Sequence, residues 1–417
     1  MFSVPTIVMT VFMSFYTMVD GLFVSNLIGT DALSAVNLTA PVISLVTAIS
    51  TMLATGGSAV IMRKAGQQKA QEANEDFTFL IAVNVAVGLI MSSLGYLIMG
   101  RLFERMSLSP AVAGYCRIYL SRYLIFTVPI LLMNNFTLYM IAAGKSDLSM
   151  VCSITGGVLN MVLDYVLISV FDMGIAGAAI ATGLGYSVTA VSGLVIFSKK
   201  DCLLHFVKPV CRIRTLVSAA SNGSSEMAAA LVTGIVTMMF NWTMLKYVGE
   251  NGVAAITIIM YVLMFATSLY TGYSYGVAPM ISFYYGEQNP DKLKKLIRLS
   301  MTIIGFIGAA ALMISLAVTE PLVAIFARPD NPVYGLAVTG NRICSSALVF
   351  IGFNVFASGM FTALSNGLVS AVLAFSRSFV FMVAAMLILP ASSASQAHGW
   401  RLRPLRPRRF YCPPLCL

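Results

Sequence analysis

Long apolar stretches follow one another along almost the whole chain, separated by short polar turns. Most reach about 20 residues, the length that a helix needs to cross the hydrocarbon core of a bilayer. The stretches are continuous rather than alternating, which favours helices over a closed barrel. Hydropathy therefore predicts eleven membrane helices, near residues 4–28, 32–62, 77–99, 116–142, 149–171, 174–197, 217–246, 252–284, 296–318, 336–362 and 367–390.

Composition supports a membrane protein. Of the 417 residues, 58% are hydrophobic and only 10% are charged, whereas soluble domains carry about 25% charged residues. The fold class predicted is an all-α polytopic membrane protein. The seven cysteines and two histidines show no metal-ligand spacing, so neither a metal, a cofactor nor an enzymatic centre is expected.

Basic residues concentrate in alternate loops, which predicts the orientation. The richer loops, with the N-terminus, are expected in the cytoplasm because short cytoplasmic loops carry an excess of Lys and Arg. Their cations are Arg63, Lys64, Lys69, Lys145, Lys199, Lys200, Lys208, Arg212, Arg214, Lys292, Lys294, Lys295 and Arg298. We interpret the cluster in the linker as a topology signal and solvated charge, and a specific lipid site is the less favoured alternative.

An internal repeat appears when the sequence is shifted by 220 residues, because Gly56 then falls on Gly276, Gly66 on Gly286 and the AGQQ loop on YGEQ. Six helices per unit imply two lobes related by an axis along the membrane normal, with a cavity between them. The domains predicted are an N-lobe at 1–198 with helices 1–6, a basic cytoplasmic linker at 199–216, a C-lobe at 217–390 with helices 7–11, and a tail at 391–417.

The tail does not fit the repeat. A twelfth helix is expected near 394–417, but five arginines and four prolines stand there, and both residue types oppose a membrane helix. Our hypothesis is a shifted reading frame just after Leu389-Pro390. A natural basic tail that binds anionic lipid is the alternative.

Three acids fall inside predicted helices: Asp20, Asp164 and Glu226. A carboxylate within the membrane is costly and marks an ion or proton path by default. Asp20 could instead lie in a turn if helix 1 ended at Val19. Glu226 lies near the start of helix 7, where it could equally face cytoplasmic water.

Asn160 precedes Asp164 by one helical turn, so that its amide can donate to the carboxylate. The pair could also simply tie helices together. Thr182 follows in helix 6, in the stretch GIAGAAIATGLG, whose small residues permit close packing. For Thr182 alone, a packing role is the favoured interpretation.

These segments resemble those of a known family. The stretch VDGLFVSNLIGTDALSAVNL is similar to the first loop of multidrug and toxic compound extrusion (MATE) transporters, and LNMVLDYVLIS with GIAGAAIATGLG resembles their helices 5 and 6. The resemblance covers about residues 2–390. It implies a twelve-helix, two-lobed antiporter that exports organic cations against H⁺ or Na⁺. It also implies a cation-coupling site at Asp20, Asn160, Asp164 and Thr182, with Glu226 as a candidate acid of the C-lobe.

The chain departs from the family in two ways. It lacks the short polar segment expected before helix 1, and it lacks helix 12.

The protein is expected to be a monomer in a bacterial cytoplasmic membrane. Its expected partners are the lipid bilayer and small organic cations, without nucleic acid. Two alternatives stay open: a flippase for a lipid-linked saccharide from the same superfamily, and an inactive truncated remnant.

Overall fold

The computed structural model describes residues 3–104 and 109–376, and every regular element in these ranges is helical. The helices are α1 Ser3–Leu27, α2 Thr30–Gly66, α3 Ala70–Glu104, α4 Pro110–Ile125, α5 Thr127–Ala142, α6 Ser146–Tyr165, α7 Gly174–Phe197, α8 Ile213–Tyr247, α9 Glu250–Gly286, α10 Pro290–Ala317, α11 Thr319–Phe326, α12 Pro332–Ser345, α13 Leu348–Ala363 and α14 Gly367–Phe375. A π-helical turn, Val166–Val170, continues α6.

Seven helices in the described ranges are long and apolar enough to cross a membrane, and two bent pairs bring the number to nine. The all-α polytopic class is therefore confirmed. The count of eleven spans stays a prediction. The predicted helix at 217–246, which is part of α8, is not among these nine, and most of the predicted helix at 367–390 lies outside the described residues, as does the tail at 391–417.

Two predicted spans are bent rather than straight. The span near 116–142 is α4 followed by α5, at 55° to each other. Pro129 lies in the first turn of α5, where it has no N–H to donate and its ring opposes a helical carbonyl at Ile125. The span near 336–362 is α12 followed by α13, at 52°. There the hydroxyls of Ser345 and Ser346 donate hydrogen bonds to carbonyl oxygens of α12, at 2.6 and 2.7 Å. Serine hydroxyls that bond to carbonyls of the preceding turn often bend a helix.

A short helix, α11, lies where the sequence pattern predicted only a loop. Val323 is fully buried and packs with Ala327, Val333 and Ala337. This apolar cluster holds a helix of only eight residues, which is too short to give a hydropathy signal.

The repeat is visible in the helix bounds. α2 spans 30–66 and α9 spans 250–286, so that both ends are shifted by 220 residues. The turn after each of these helices also repeats, because Gln68 and Gln288 both adopt a left-handed backbone, with φ of 64° and 57°. At α2 and α9 the structure therefore repeats at the offset that the sequence predicts.

The lobes meet backbone to backbone. A Cβ atom at Gly56 of α2 would lie 1.9 Å from the carbonyl oxygen of Ala219 in α8, and one at Gly66 would lie 2.1 Å from that of Phe283 in α9. Gly286 in turn would meet the carbonyl of Arg63 at 2.1 Å. Only glycine permits these crossings. We call the end of the molecule that carries Arg63, Lys64, Lys69, Arg212, Arg214 and Lys292 the basic face.

An ion cluster attaches the end of the linker to the N-lobe. Arg212 donates to Asp76 at 3.1 Å and to Glu75 at 2.6 Å, and Lys64 and Thr215 also bond the fully buried Asp76. Partial burial acts to lower the pKa of Arg212, but the two carboxylates outweigh it and raise that pKa. The cluster fixes the start of α8 against α2 and α3.

Candidate functional site in the N-lobe

Asp20 lies inside a continuous helix. α1 runs from Ser3 to Leu27 without a break, so the alternative in which Asp20-Gly21 forms a turn is wrong. The side chain is half-buried, and its Oδ1 atom is buried without a hydrogen-bond partner among the described residues. A carboxylate oxygen held in this way retains its full capacity to accept a proton or a cation.

Asp164 lies close to Asp20. It is fully buried on α6, and the two carboxyl groups are near enough to interact electrostatically. Neither oxygen of Asp164 has a hydrogen-bond partner within the described part of the chain. The helix changes to π-helical geometry two residues later, at Val166, and such turns occur frequently at functional sites.

Asn160 does not hold Asp164, which corrects the expectation from sequence. Its Nδ2 atom instead donates to Oγ1 of Thr182, at 3.5 Å, and its Oδ1 atom is buried without a described partner. Thr182 in turn donates to the carbonyl of Ala178 at 3.0 Å. The side chain of Asn160 therefore contacts α7 rather than the carboxylate on its own helix.

Glycines bring α6 and α7 together. A Cβ atom at Gly185 would lie 2.7 Å from the carbonyl oxygen of Gly156 and 2.9 Å from the Cβ of Asn160. This close approach places Thr182, which is 8% exposed, beside Asn160. The small residues of α7 thus build the site in addition to packing the bundle.

A shell of tyrosines surrounds the carboxyl groups. The hydroxyls of Tyr16 and Tyr186 are hydrogen-bonded at 2.6 Å, and Tyr119 stacks on Tyr123 with ring centroids 6.3 Å apart. Tyr119 is close enough to feel the charge of both acids. Sequence reasoning missed these residues. The available signal was helical spacing, since Tyr16 precedes Asp20 by four residues and Tyr186 follows Thr182 by four.

Within the described residues the structure brings the four predicted residues together as two pairs, Asp20 with Asp164 and Asn160 with Thr182. The first pair offers two carboxyl groups, and the second offers an amide oxygen and a hydroxyl. No group of three or more His, Cys, Asp or Glu residues that could hold a metal occurs in the described ranges. Two adjacent carboxylates in a buried site repel each other unless a cation joins them. The arrangement suits a proton or a hard monovalent cation such as Na⁺.

Glu226 lies apart from these four residues. It is part of α8 and lines a cavity of about 70 Å³ between the lobes, with residues of α2, α9 and α13. Tyr275 lines the same cavity and feels the charge of Glu226. The described structure thus places this acid towards the cavity between the lobes.

The family model described as MatE matches residues 5–166 and 227–387. The multidrug export protein MepA of Staphylococcus saprophyticus is 22% identical over 385 residues, which is 91% of this chain and 84% of the relative. The MepA of Staphylococcus aureus strain MRSA252 is 22% identical over 391 residues, again 91% and 84% of the two chains. A crystal structure of MATE in the straight conformation superimposes with a TM-score of 0.88 at 24% identity, covering 93% of this chain and 87% of the other.

Proposed function

The chain belongs to the MatE family of membrane transporters, and on that premise we propose that it is a secondary active multidrug efflux transporter that exports organic cations against H⁺ or Na⁺. We propose a bacterial cytoplasmic membrane as its location. The staphylococcal relatives, named as multidrug export proteins, support the export of drugs. The observation that carries the coupling is the pair of neighbouring carboxyl groups, Asp20 and Asp164, inside the helix bundle.

In the proposed mechanism, the drug and the coupling ion bind the same two carboxyl groups in turn. With both carboxyls ionised, the site attracts a cationic drug. Protons or Na⁺ ions entering from outside neutralise the two carboxylates, so the drug loses its counter-charge and leaves. Asn160 and Thr182 contribute oxygens if the ion is sodium. Because drug and ion compete for the same carboxylates, the export of one requires the entry of the other.

The alternative of a flippase for a lipid-linked saccharide finds less support. An anionic head group calls for arginines in the central cavity. Arg117, Arg122 and Arg342 are all exposed in the structure, and Arg342 pairs with Glu320 at 2.7 Å. None of them lines the cavity beside Glu226.

Dye efflux in a drug-sensitive bacterial host tests the proposal. Cells that express the protein are loaded with the cationic dye ethidium, and its loss is followed while the proton gradient or the sodium gradient is collapsed separately. We expect energised efflux that stops when one of the two gradients is removed. Efflux that survives the loss of both gradients, or that equals the efflux of empty-vector cells, would overturn the proposal.

A further inference from the structure

A polar cleft of about 900 Å³ opens on the basic face, between α2 and the start of α8. Its walls come from the N-lobe, from the end of the linker and from the turn between α13 and α14. The residues that carry the argument are Arg63, Lys64, Lys69, Arg212, Arg214 and Asn222. The coupling mechanism makes no use of this cleft.

The cleft carries an excess of positive charge. Five basic side chains line it, against one acid, Glu72. Lys64 and Arg212 are neutralised in the Asp76 cluster, and Lys69 pairs with Glu72 at 3.4 Å. The remaining cations are Arg63 and Arg214, and neither pairs with a carboxylate among the described residues.

These two arginines reach the cleft from different helices. Arg63 lies in the last turn of α2, and its guanidinium is 5.2 Å from the ring centroid of Tyr285 in the other lobe. Arg214 lies in the first turn of α8 and is exposed. Guanidinium groups present paired N–H donors that match the oxygens of a phosphate.

Neutral donors complete the cleft. Asn222 is only 6% exposed, and its amide makes no hydrogen bond to a described residue. Ser365, from the turn after α13, has a buried Oγ atom that is also without a described partner. The first turn of α8 has no side-chain cap, so its free N–H groups add partial positive charge at the same place.

We propose that this cleft binds a phosphate group, as a phosphodiester or a phosphomonoester, between Arg63, Arg214, Asn222 and Ser365. The charge excludes the organic cations of the proposed transport. A bound phosphate joins α2 of the N-lobe to α8 and the α13–α14 turn of the C-lobe. It therefore stabilises the conformation in which the lobes are closed at the basic face. The phosphate comes either from an anionic lipid head group or from a free cytoplasmic anion.

Binding to the purified full chain in neutral detergent tests this proposal. The probes are short-chain phosphatidylglycerol, short-chain phosphatidylcholine and inorganic phosphate, each titrated by calorimetry and by thermal melting. Arg63→Gln with Arg214→Gln removes the two unpaired cations. Lys294→Gln with Lys295→Gln is the matched control, because both lysines are exposed at the start of α10 and do not line the cleft.

We expect phosphatidylglycerol or inorganic phosphate to raise the melting temperature of the unmodified protein and of the control. The cleft variant should bind the same probe at least about tenfold more weakly, since it loses two charge-assisted donors. Response to phosphatidylglycerol alone identifies a lipid head group, and response to inorganic phosphate identifies a free anion.

Equal affinity in the cleft variant and the control, or no response to either anionic probe, would refute the site. If the double variant does not purify, Arg214→Gln alone serves, because this exposed side chain makes no described contact that folding requires. Stabilisation by phosphatidylcholine as strong as that by phosphatidylglycerol would also count against phosphate recognition by these arginines, because it would show that the acyl chains suffice.

Discussion

In the proposed mechanism, single residues of the N-lobe determine which ion is accepted. Asp20 and Asp164 were identifiable from sequence because a carboxylate in an apolar helix is too costly to be incidental. The partner of Asn160 was not identifiable, because it depends on how closely α7 approaches α6. The same reason hid Tyr119 and Tyr123, which belong to a helix far away in sequence.

Thr182→Val tests whether the hydroxyl contributes to ion binding. Valine has the same shape but cannot accept the hydrogen bond from Asn160 or offer an oxygen to sodium. We expect the half-saturating concentration of the driving ion to rise about tenfold or more, as for the loss of a bond to a charged ligand. Thr182→Ser restores the hydroxyl and should behave like the unmodified protein. An unchanged ion dependence in Thr182→Val would leave Thr182 with a packing role only.

Helix packing and helix breaks set the geometry of the site. Sequence predicted most of the long helices because their apolar runs are unmistakable. It did not predict the bends between α4 and α5 or between α12 and α13, since the hydropathy of each pair continues through the break. Pro129 was a visible signal for the first bend. The second depends on serine hydroxyls whose direction only the folded helix reveals.

Gly185→Ala should separate α6 from α7. The added methyl would lie 2.7 Å from a backbone oxygen of Gly156, which cannot move without its helix. We expect a loss of about 1–3 kcal/mol of stability, typical of overpacking, together with weaker ion coupling because Asn160 is displaced. Gly114→Ala is the control, since nothing lies within 4 Å of the Cβ position there. Thermal melting that is identical for the two variants would contradict this close packing.

The described part of the molecule contains two related segments that pack closely against each other at the basic face. The repeat was readable because glycines and loop residues recur at a fixed offset. The structural reason for these recurring glycines could not be predicted from the sequence, because it lies in contacts between the lobes. Gly56 meets α8, and its repeat-related residue Gly276 meets α1. These matching contacts join the two segments symmetrically, and the proposed transport requires them to separate.

Gly56→Ala should therefore hold the basic face open. Its methyl would lie 1.9 Å from the carbonyl oxygen of Ala219, and the closed crossing cannot absorb that overlap. Spin labels on Lys69 and Lys292 are expected to be farther apart in this variant than in the unmodified protein, and Gly276→Ala should give the same direction of change. Gly234→Ala, where space is free, is the control. Label distances that match the control in both variants would show that these glycines do not seal the lobes.

Coupling through the carboxyl pair is tested most directly by Asp20→Asn in sealed vesicles that contain only the purified protein. Asparagine keeps the shape of the side chain but removes its titratable charge. Asp201→Asn, in the exposed linker, is the matched control. With a proton or sodium gradient imposed, we predict that dye export by Asp20→Asn falls to the level of empty vesicles, while the control exports at the unmodified rate. Export by Asp20→Asn at that same rate and at equal protein content would contradict the mechanism.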